Sequence, residues 1–236
     1  AGGRAREVSS FKLLAGGLRL EGDAGFDAEG EVARVALKHI AFDRNDLGAQ
    51  FTRAGGGWNV DLWGKRVDLA PWLEADAGDG ESKGSPLALS VNVDRVLLGP
   101  GRHLDLASGT LQFDGTVWRR IDLAATPRDG KEMRVALGKA GGMRTLSVTS
   151  NDAGAVLRAF GFYDNLVGGA LDLNGTYDDG APGRPLNGRV LVKNFRVIKA
   201  PALTHLLSIA SLTGILESLG GEGLAFVLGD RNSPSE

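Results

Sequence analysis

The chain has 236 residues, enough for one large all-β domain or two smaller ones, and it carries 36 glycines but only 8 prolines. Glycine at about twice its ordinary share beside ordinary proline excludes collagen-like and Pro-rich disordered classes and marks turns between strands. Lys+Arg 27 against Asp+Glu 29, spread without like-charge runs, gives no basic stripe for nucleic acid, and the absence of cysteine removes disulfides and thiolate chemistry.

The start, Ala1 to Arg6, has no initiator Met and no apolar h-region, and no stretch reaches the roughly 20 apolar residues of a membrane span. We therefore expect a soluble piece of a longer polypeptide, the rest of which lies outside this sequence. Period-two alternation sets in at Leu18-Arg-Leu20 and continues to Ala24 and Phe26, which puts these apolar residues on one sheet face. It returns at Trp58-Asn-Val60-Asp-Leu62, Leu87-Ala-Leu89-Ser-Val91-Asn-Val93, Leu104 to Leu106, Leu111-Gln-Phe113, Ile121 to Leu123, Met133 to Leu137 and Leu146 to Val148. Turn signals at Asp27 to Gly30, Ala54 to Gly57, Arg128 to Gly130 and Asp178 to Gly180 predict hairpins and antiparallel pairing, with no helices for parallel crossovers. Val32 to Phe42 and Val190 to Ile198 carry apolar residues in both phases, the mark of a bulge or of burial on both faces.

The expected fold is mainly β: a curved antiparallel sheet, open groove or sandwich-like, with one or two short helices near the C-terminus. Residues 1–75 form one β segment, 76–85 a polar loop or linker, 86–149 a second β segment, 150–228 the helix-bearing region and 229–236 a disordered tail. Asn151-Asp152 offers an N-cap for a helix from Ala153 to Phe160, with Gly161 placed to stop it. A second helix is expected over Pro201 to Leu219. Its apolar surface of Leu203, Leu206, Leu207, Leu212, Ile215, Leu216 and Leu219 faces a thin Ser/Thr side, and would pack on the sheet or dock on a membrane interface.

Chemistry-bearing patterns are scarce. His39, His103 and His205 lie in separate segments without partners at ligand spacing, so no metal is assigned. Asp43-Arg-Asn-Asp46 lacks the alternating oxygens of a calcium loop and reads as a solvated turn. No nucleophile elbow or phosphate-binding loop occurs, so we assign no catalytic residue and no cofactor, and expect a protein that is not an enzyme. Trp58, Trp63, Trp72 and Trp118 could stack on sugars but serve more often in a core or at its rim.

Ordered blocks in the last third carry a resemblance. They are Ser150-Asn-Asp-Ala-Gly154 leading to Leu157, Phe160-Gly-Phe-Tyr-Asp-Asn-Leu166, Gly168-Gly-Ala-Leu171, Leu186-Asn-Gly188, Asn194-Phe195 and Lys199-Ala-Pro-Ala-Leu203. Leu206-Leu207, Ala210-Ser-Leu212, Gly214 and Gly221-Glu-Gly-Leu-Ala-Phe226 follow. Residues 150–228 resemble the C-terminal region of the AsmA-like superfamily, in particular its large YhdP-type envelope members. The resemblance implies a periplasmic segment of an inner-membrane-anchored protein, with a long sheet forming an apolar groove for phospholipid between inner and outer membranes. On that basis the lipid-facing residues are Leu18, Leu20, Phe26, Trp58, Val60, Leu62, Leu87, Leu89, Val91, Val93, Leu111 and Phe113, and a membrane surface is admitted as a further partner. The rivals are a structural β scaffold and an outer-membrane protein assembly factor that carries no lipid.

Overall fold

A computed structural model describes residues 6–74 and 84–198, together with the backbone of 224–228. The order is β1 Glu7–Ala15, β2 Leu18–Phe26, β3 Val32–Phe42, β4 Asn45–Ala54, β5 Gly57–Asp68, α1 Ala70–Glu74, β6 Leu87–Gly99 and β7 Arg102–Phe113. It continues with β8 Trp118–Pro127, β9 Met133–Ala140, β10 Met143–Ser150, α2 Ala153–Ala159, β11 Leu166–Tyr177, β12 Leu186–Val197 and β13 Leu224–Leu228. Among the described residues all thirteen strands form one sheet in which spatial order equals chain order, so the molecule is mainly β and the sheet is open rather than a barrel.

The hairpins follow from turn chemistry. At the first of them Gly16 and Gly17 take φ of +54° and +87°, the paired left-handed conformation that a two-residue hairpin turn requires and that glycine adopts without a Cβ clash. The expectation of antiparallel pairing needs correction at two places. β5 pairs β6 in parallel and β12 pairs β13 in parallel, while the other neighbours are antiparallel. The first crossover contains α1, a helix ahead of those expected near the C-terminus. Asp68 explains it: one carboxylate oxygen accepts from Ala70 N at 3.0 Å, and Pro71, with its preset φ, starts the turn.

Residues 75–83 and 229–236, the expected linker core and tail, lie outside the described residues, as does the expected helix over 201–219 with Leu203, Leu206, Leu207, Leu212, Ile215, Leu216 and Leu219. The strand ladder itself passes without a break from β5 to β6, Trp58 opposite Leu87 through Leu62 opposite Val91. Three strands escape a period-two reading. In β1 the alternation is weak, in β4 the small Gly48 and Ala49 blunt the contrast between the Leu47, Ala49, Phe51 phase and its neighbours, and in β11 Gly168 and Gly169 dilute it.

The mixed phases have a structural cause. Register shifts at Glu21/Gly22, Leu37/Ile40, Asp46/Leu47 and Asp105/Ser108 fall along one line across the sheet. An extra residue turns the following side chains over, so in β3 the apolar set moves from Val35 and Leu37 to Ile40. In β7 the same change comes at Leu106, a non-glycine residue with φ of +53°. In β12 it comes at Asn194, with φ of +57°, and Phe195 then packs on the same cluster as Val190 and Val192.

α2 is the helix expected from the sequence. The Asp152 carboxylate accepts from Ala155 N at 3.0 Å, and Gly161 ends the helix with φ of +74°. It rests on β11 and reaches β7, β8 and β12. Four strands touch so short a helix only because the sheet curls around it. Ala153, Val156 and Ala159 join Val93, Val96, Leu98, Ala107, Met133, Leu166 and Leu171 in the main buried cluster. Gly154 permits the contact: a Cβ there would lie 2.2 Å from the Leu166 carbonyl oxygen.

Candidate functional site

The strand register resolves the two faces of the sheet, because directly opposed residues point the same way. One row runs Val8, Ala24, Val35, Phe51, Val60, Leu89, Leu111, Ile121, Leu137, Leu146, Gly175, Gly188 from β1 to β12. Two residues along each strand, or three across the register shift in β1, runs a second row: Phe11, Gly22, Leu37, Ala49, Leu62, Val91, Gly109, Leu123, Val135, Val148, Leu173, Val190. Every position in both rows is apolar or glycine. Between them, on the opposite face, lie Asp23, Ala36, Gln50, Asp61, Ser90, Thr110, Asp122, Ala136, Ser147, Asn174 and Arg189. Eleven inter-strand spacings of about 4.8 Å make the apolar stripe roughly 50 Å long.

The stripe is unevenly covered. Val60, Ile121, Leu137 and Leu146 are buried, and Val93 beside them is 1% exposed. Val35, Phe51, Leu62, Leu89, Val91, Leu111, Leu123, Val135, Val148 and Leu173 keep part of their surface in water. α2 covers the end of this face near β7, β8, β11 and β12. Over β3 to β6 lies instead a cleft of about 420 Å³ walled by Val35, Phe51, Trp58, Val60 and Leu87 with Ser85 and Pro86, within the range of small-molecule sites.

Of the residues assigned from sequence, Trp58, Val60, Leu62, Leu87, Leu89, Val91, Val93, Leu111 and Phe113 form one contiguous block across β5, β6 and β7. Leu20 joins its margin through Ile40, Leu47 and Gly64, which leads to Val93. Leu18 sits beside the first turn opposite Ala15. Phe26 stands apart: past a register shift it pairs with Val32 at the corner of the sheet, and its N–H donates to Arg6 O. The continuation through β8 to β12 was legible as strands from the same alternation, but only pairing assigns those side chains to the same face. The tryptophans form no joint platform. Trp58 borders the cleft, Trp118 packs on Phe113 with ring centroids 5.4 Å apart, Trp63 crosses Gly48, and Trp72 on α1 is 80% exposed.

A second apolar feature follows one rim. The β1–β2 hairpin, the β3–β4 hairpin and α1 lie at the same end of the strands, and there Leu14 is 71%, Phe42 45% and Leu73 41% exposed beside Trp72. The charged groups serve structure. Arg144, 2% exposed, donates through Nε to Asp179 at 2.8 Å and through Nη1 to Trp118 O, and its guanidinium lies 4.1 Å from the Tyr177 ring centroid. The Arg144 hydrogen bond holds the Asp179 carboxyl below the usual range, while burial pushes the Tyr177 phenol up. Asp114 is lowered to about 2, chiefly by the Val117 N–H, then by Arg119 and the Thr116 N–H, against a smaller rise from burial. Asp23 is lowered by its hydrogen bond from Lys38. Among the described residues no group of three or more His, Cys, Asp or Glu side chains is placed to hold a metal, and no helix is long and apolar enough to cross a membrane.

Compared with family models, with curated proteins and with solved structures, the chain matches none significantly.

Proposed function

We propose that this chain is a non-catalytic lipid-handling segment: its apolar stripe shelters phospholipid acyl chains in passage between the inner and outer membranes, as part of a periplasmic, AsmA-like envelope protein. The observation that carries the reading is the pair of unbroken apolar rows, roughly 50 Å long and partly open to water over most strands. A soluble protein gains nothing from leaving so long an apolar strip half wet unless something apolar occupies it, since large exposed apolar patches mark binding surfaces. Acyl chains suit it because they ask only for contiguous apolar surface, without fixed polar partners. The motif resemblance of residues 150–228 supports the same class. The exposed Leu14, Phe42, Trp72 and Leu73 offer an apolar rim to a membrane surface, where Trp is favoured.

A second reading, a structural scaffold, draws support from the end beneath α2, where the same face is a closed core. One experiment separates the two. A photoactivatable residue is placed at Leu89 or Val135 on the stripe, and at their chain neighbours Ser90 or Ala136 on the other face, and the protein is exposed to phosphatidylethanolamine vesicles. Lipid cross-links at the first pair alone are expected. Equal labelling of both faces, or none at either, refutes the lipid reading.

A further inference from the structure

The two ends of β1 to β5 differ in kind. Leu13, Leu14, Phe42, Leu69, Trp72 and Leu73, all well exposed, gather at the end that holds the β1–β2 and β3–β4 turns and α1. Among the described residues Val8 is the only large apolar side chain so exposed at the other end. There the β2–β3 turn carries three carboxylates, Asp27, Glu29 and Glu31, with Arg53 3.9 Å from Glu31.

The apolar rim is held rigidly by buried polar groups. Asp68, 6% exposed at the end of β5, accepts from Ala70 N through one carboxylate oxygen and lies 3.2 Å from Arg44 Nη1 through the other. Its own N–H donates to Asn45 Oδ1 at 2.8 Å, so the turn after Phe42 and the root of α1 are tied together. Leu69 N donates to Leu97 O at 2.9 Å, and Ala70 is buried, which fixes α1 on β6. Trp72 and Leu73 therefore point into water from a braced helix, and fraying does not explain their exposure. Large apolar patches kept exposed on a fixed frame mark a binding surface. Phe42 also leads inward: Phe42 faces Asn45 and Ile40 faces Leu47 in one register, so the rim joins the margin of the apolar stripe along β3.

We propose that this rim seats the protein on the leaflet of a phospholipid bilayer, with Leu14, Trp72 and Leu73 in the interfacial layer and Phe42 at the point where acyl chains pass from the leaflet to the stripe. Trp is favoured at the membrane interface, and the carboxylates of the other end would be repelled by an anionic leaflet, so charge and apolar exposure select the same end. The passage of acyl chains rests on the lipid reading; the docking is tested separately from it.

The whole chain is floated with vesicles of phosphatidylethanolamine and phosphatidylglycerol. The parent is expected to float. A variant carrying Leu14→Ser, Trp72→Ser and Leu73→Ser is expected to bind at least about tenfold more weakly, because interfacial binding scales with the apolar area delivered, and to keep the parent's circular dichroism. A photoactivatable residue at Leu89 is expected to label a short-chain phosphatidylcholine, kept below its micelle concentration, equally in parent and variant. Loss of that labelling in a parent that still floats would refute the lipid reading and leave the docking standing. No flotation of the parent, undiminished flotation of the folded variant, or a parent dimer by light scattering that the variant dissolves, which would make the rim a contact between copies, would overturn the docking.

Discussion

A carboxylate placed at Leu89 and at Val93 separates an open groove from a dry core, because the two residues lie on one strand, four apart, on the same face. Val93 is 1% exposed and sits between Gly64 and Ala107 in the buried cluster. Val93→Asp gives up about 1.5–2 kcal/mol of apolar burial and adds an uncompensated buried charge costing at least about 3 kcal/mol more. The total, about 5 kcal/mol, is comparable with the whole stability of many domains. Leu89 lies between Val60 and Leu111 but keeps water access, so Leu89→Asp loses only part of one side chain's burial, about 1–2 kcal/mol. Urea unfolding followed by circular dichroism is expected to separate the variants by about 3 kcal/mol or more, a midpoint difference of roughly 1.5 M at a typical slope. The folded Leu89→Asp protein is expected to recover less phospholipid from vesicles than the parent. Equal destabilisation at the two positions would show the stripe to be as dry at Leu89 as at Val93, and undiminished lipid recovery by folded Leu89→Asp would refute the groove.

Asp179→Ala strands the buried guanidinium of Arg144 and is expected to cost about 2–4 kcal/mol, whereas Arg144→Met fills the same space with apolar atoms, leaves Asp179, 36% exposed, to water, and costs about 1 kcal/mol or less; chemical denaturation of both variants checks the asymmetry. Asp114 and Asp179 have folded pKa values below that of an unfolded aspartate, about 3.9, so their stabilisation is present above that pH and is lost as pH falls through the folded values, about 2 for Asp114. Acid titration is expected to show stability declining from about pH 4 downward, less steeply in Asp179→Asn, and a carboxyl resonance of Asp114 still ionised at pH 3 checks the assignment. Asp152→Ala removes the cap of α2 and is expected to cost about 1 kcal/mol, with faster amide exchange at Ala155. Gly154→Ala drives a methyl into the Leu166 carbonyl and is expected to cost about 1–3 kcal/mol by lifting α2 from β11, read as a lower thermal midpoint.

Period-two alternation was sufficient to make the protein mainly β, because apolar residues at every second position have one stable arrangement, a sheet with one face out of water. The cap at Asp152 and the stop at Gly161 likewise declared α2, since both act within a few residues of the chain. The two-phase run of Val32 to Phe42 announced its bulge. What the sequence left open was everything that depends on which strand lies beside which. The parallel pairing of β5 with β6 has no local signature, because a strand's own pattern is the same whichever direction its neighbour runs. Leu89, Leu111, Ile121, Leu137 and Leu146 are apolar in any register, but only the observed pairing lines them up into one row and makes the stripe continuous. Composition and periodicity thus determined the class of fold and the chemistry of each face, while the length of the apolar stripe and its partial cover by α2 were decided by register and curvature, which are properties of strands in contact.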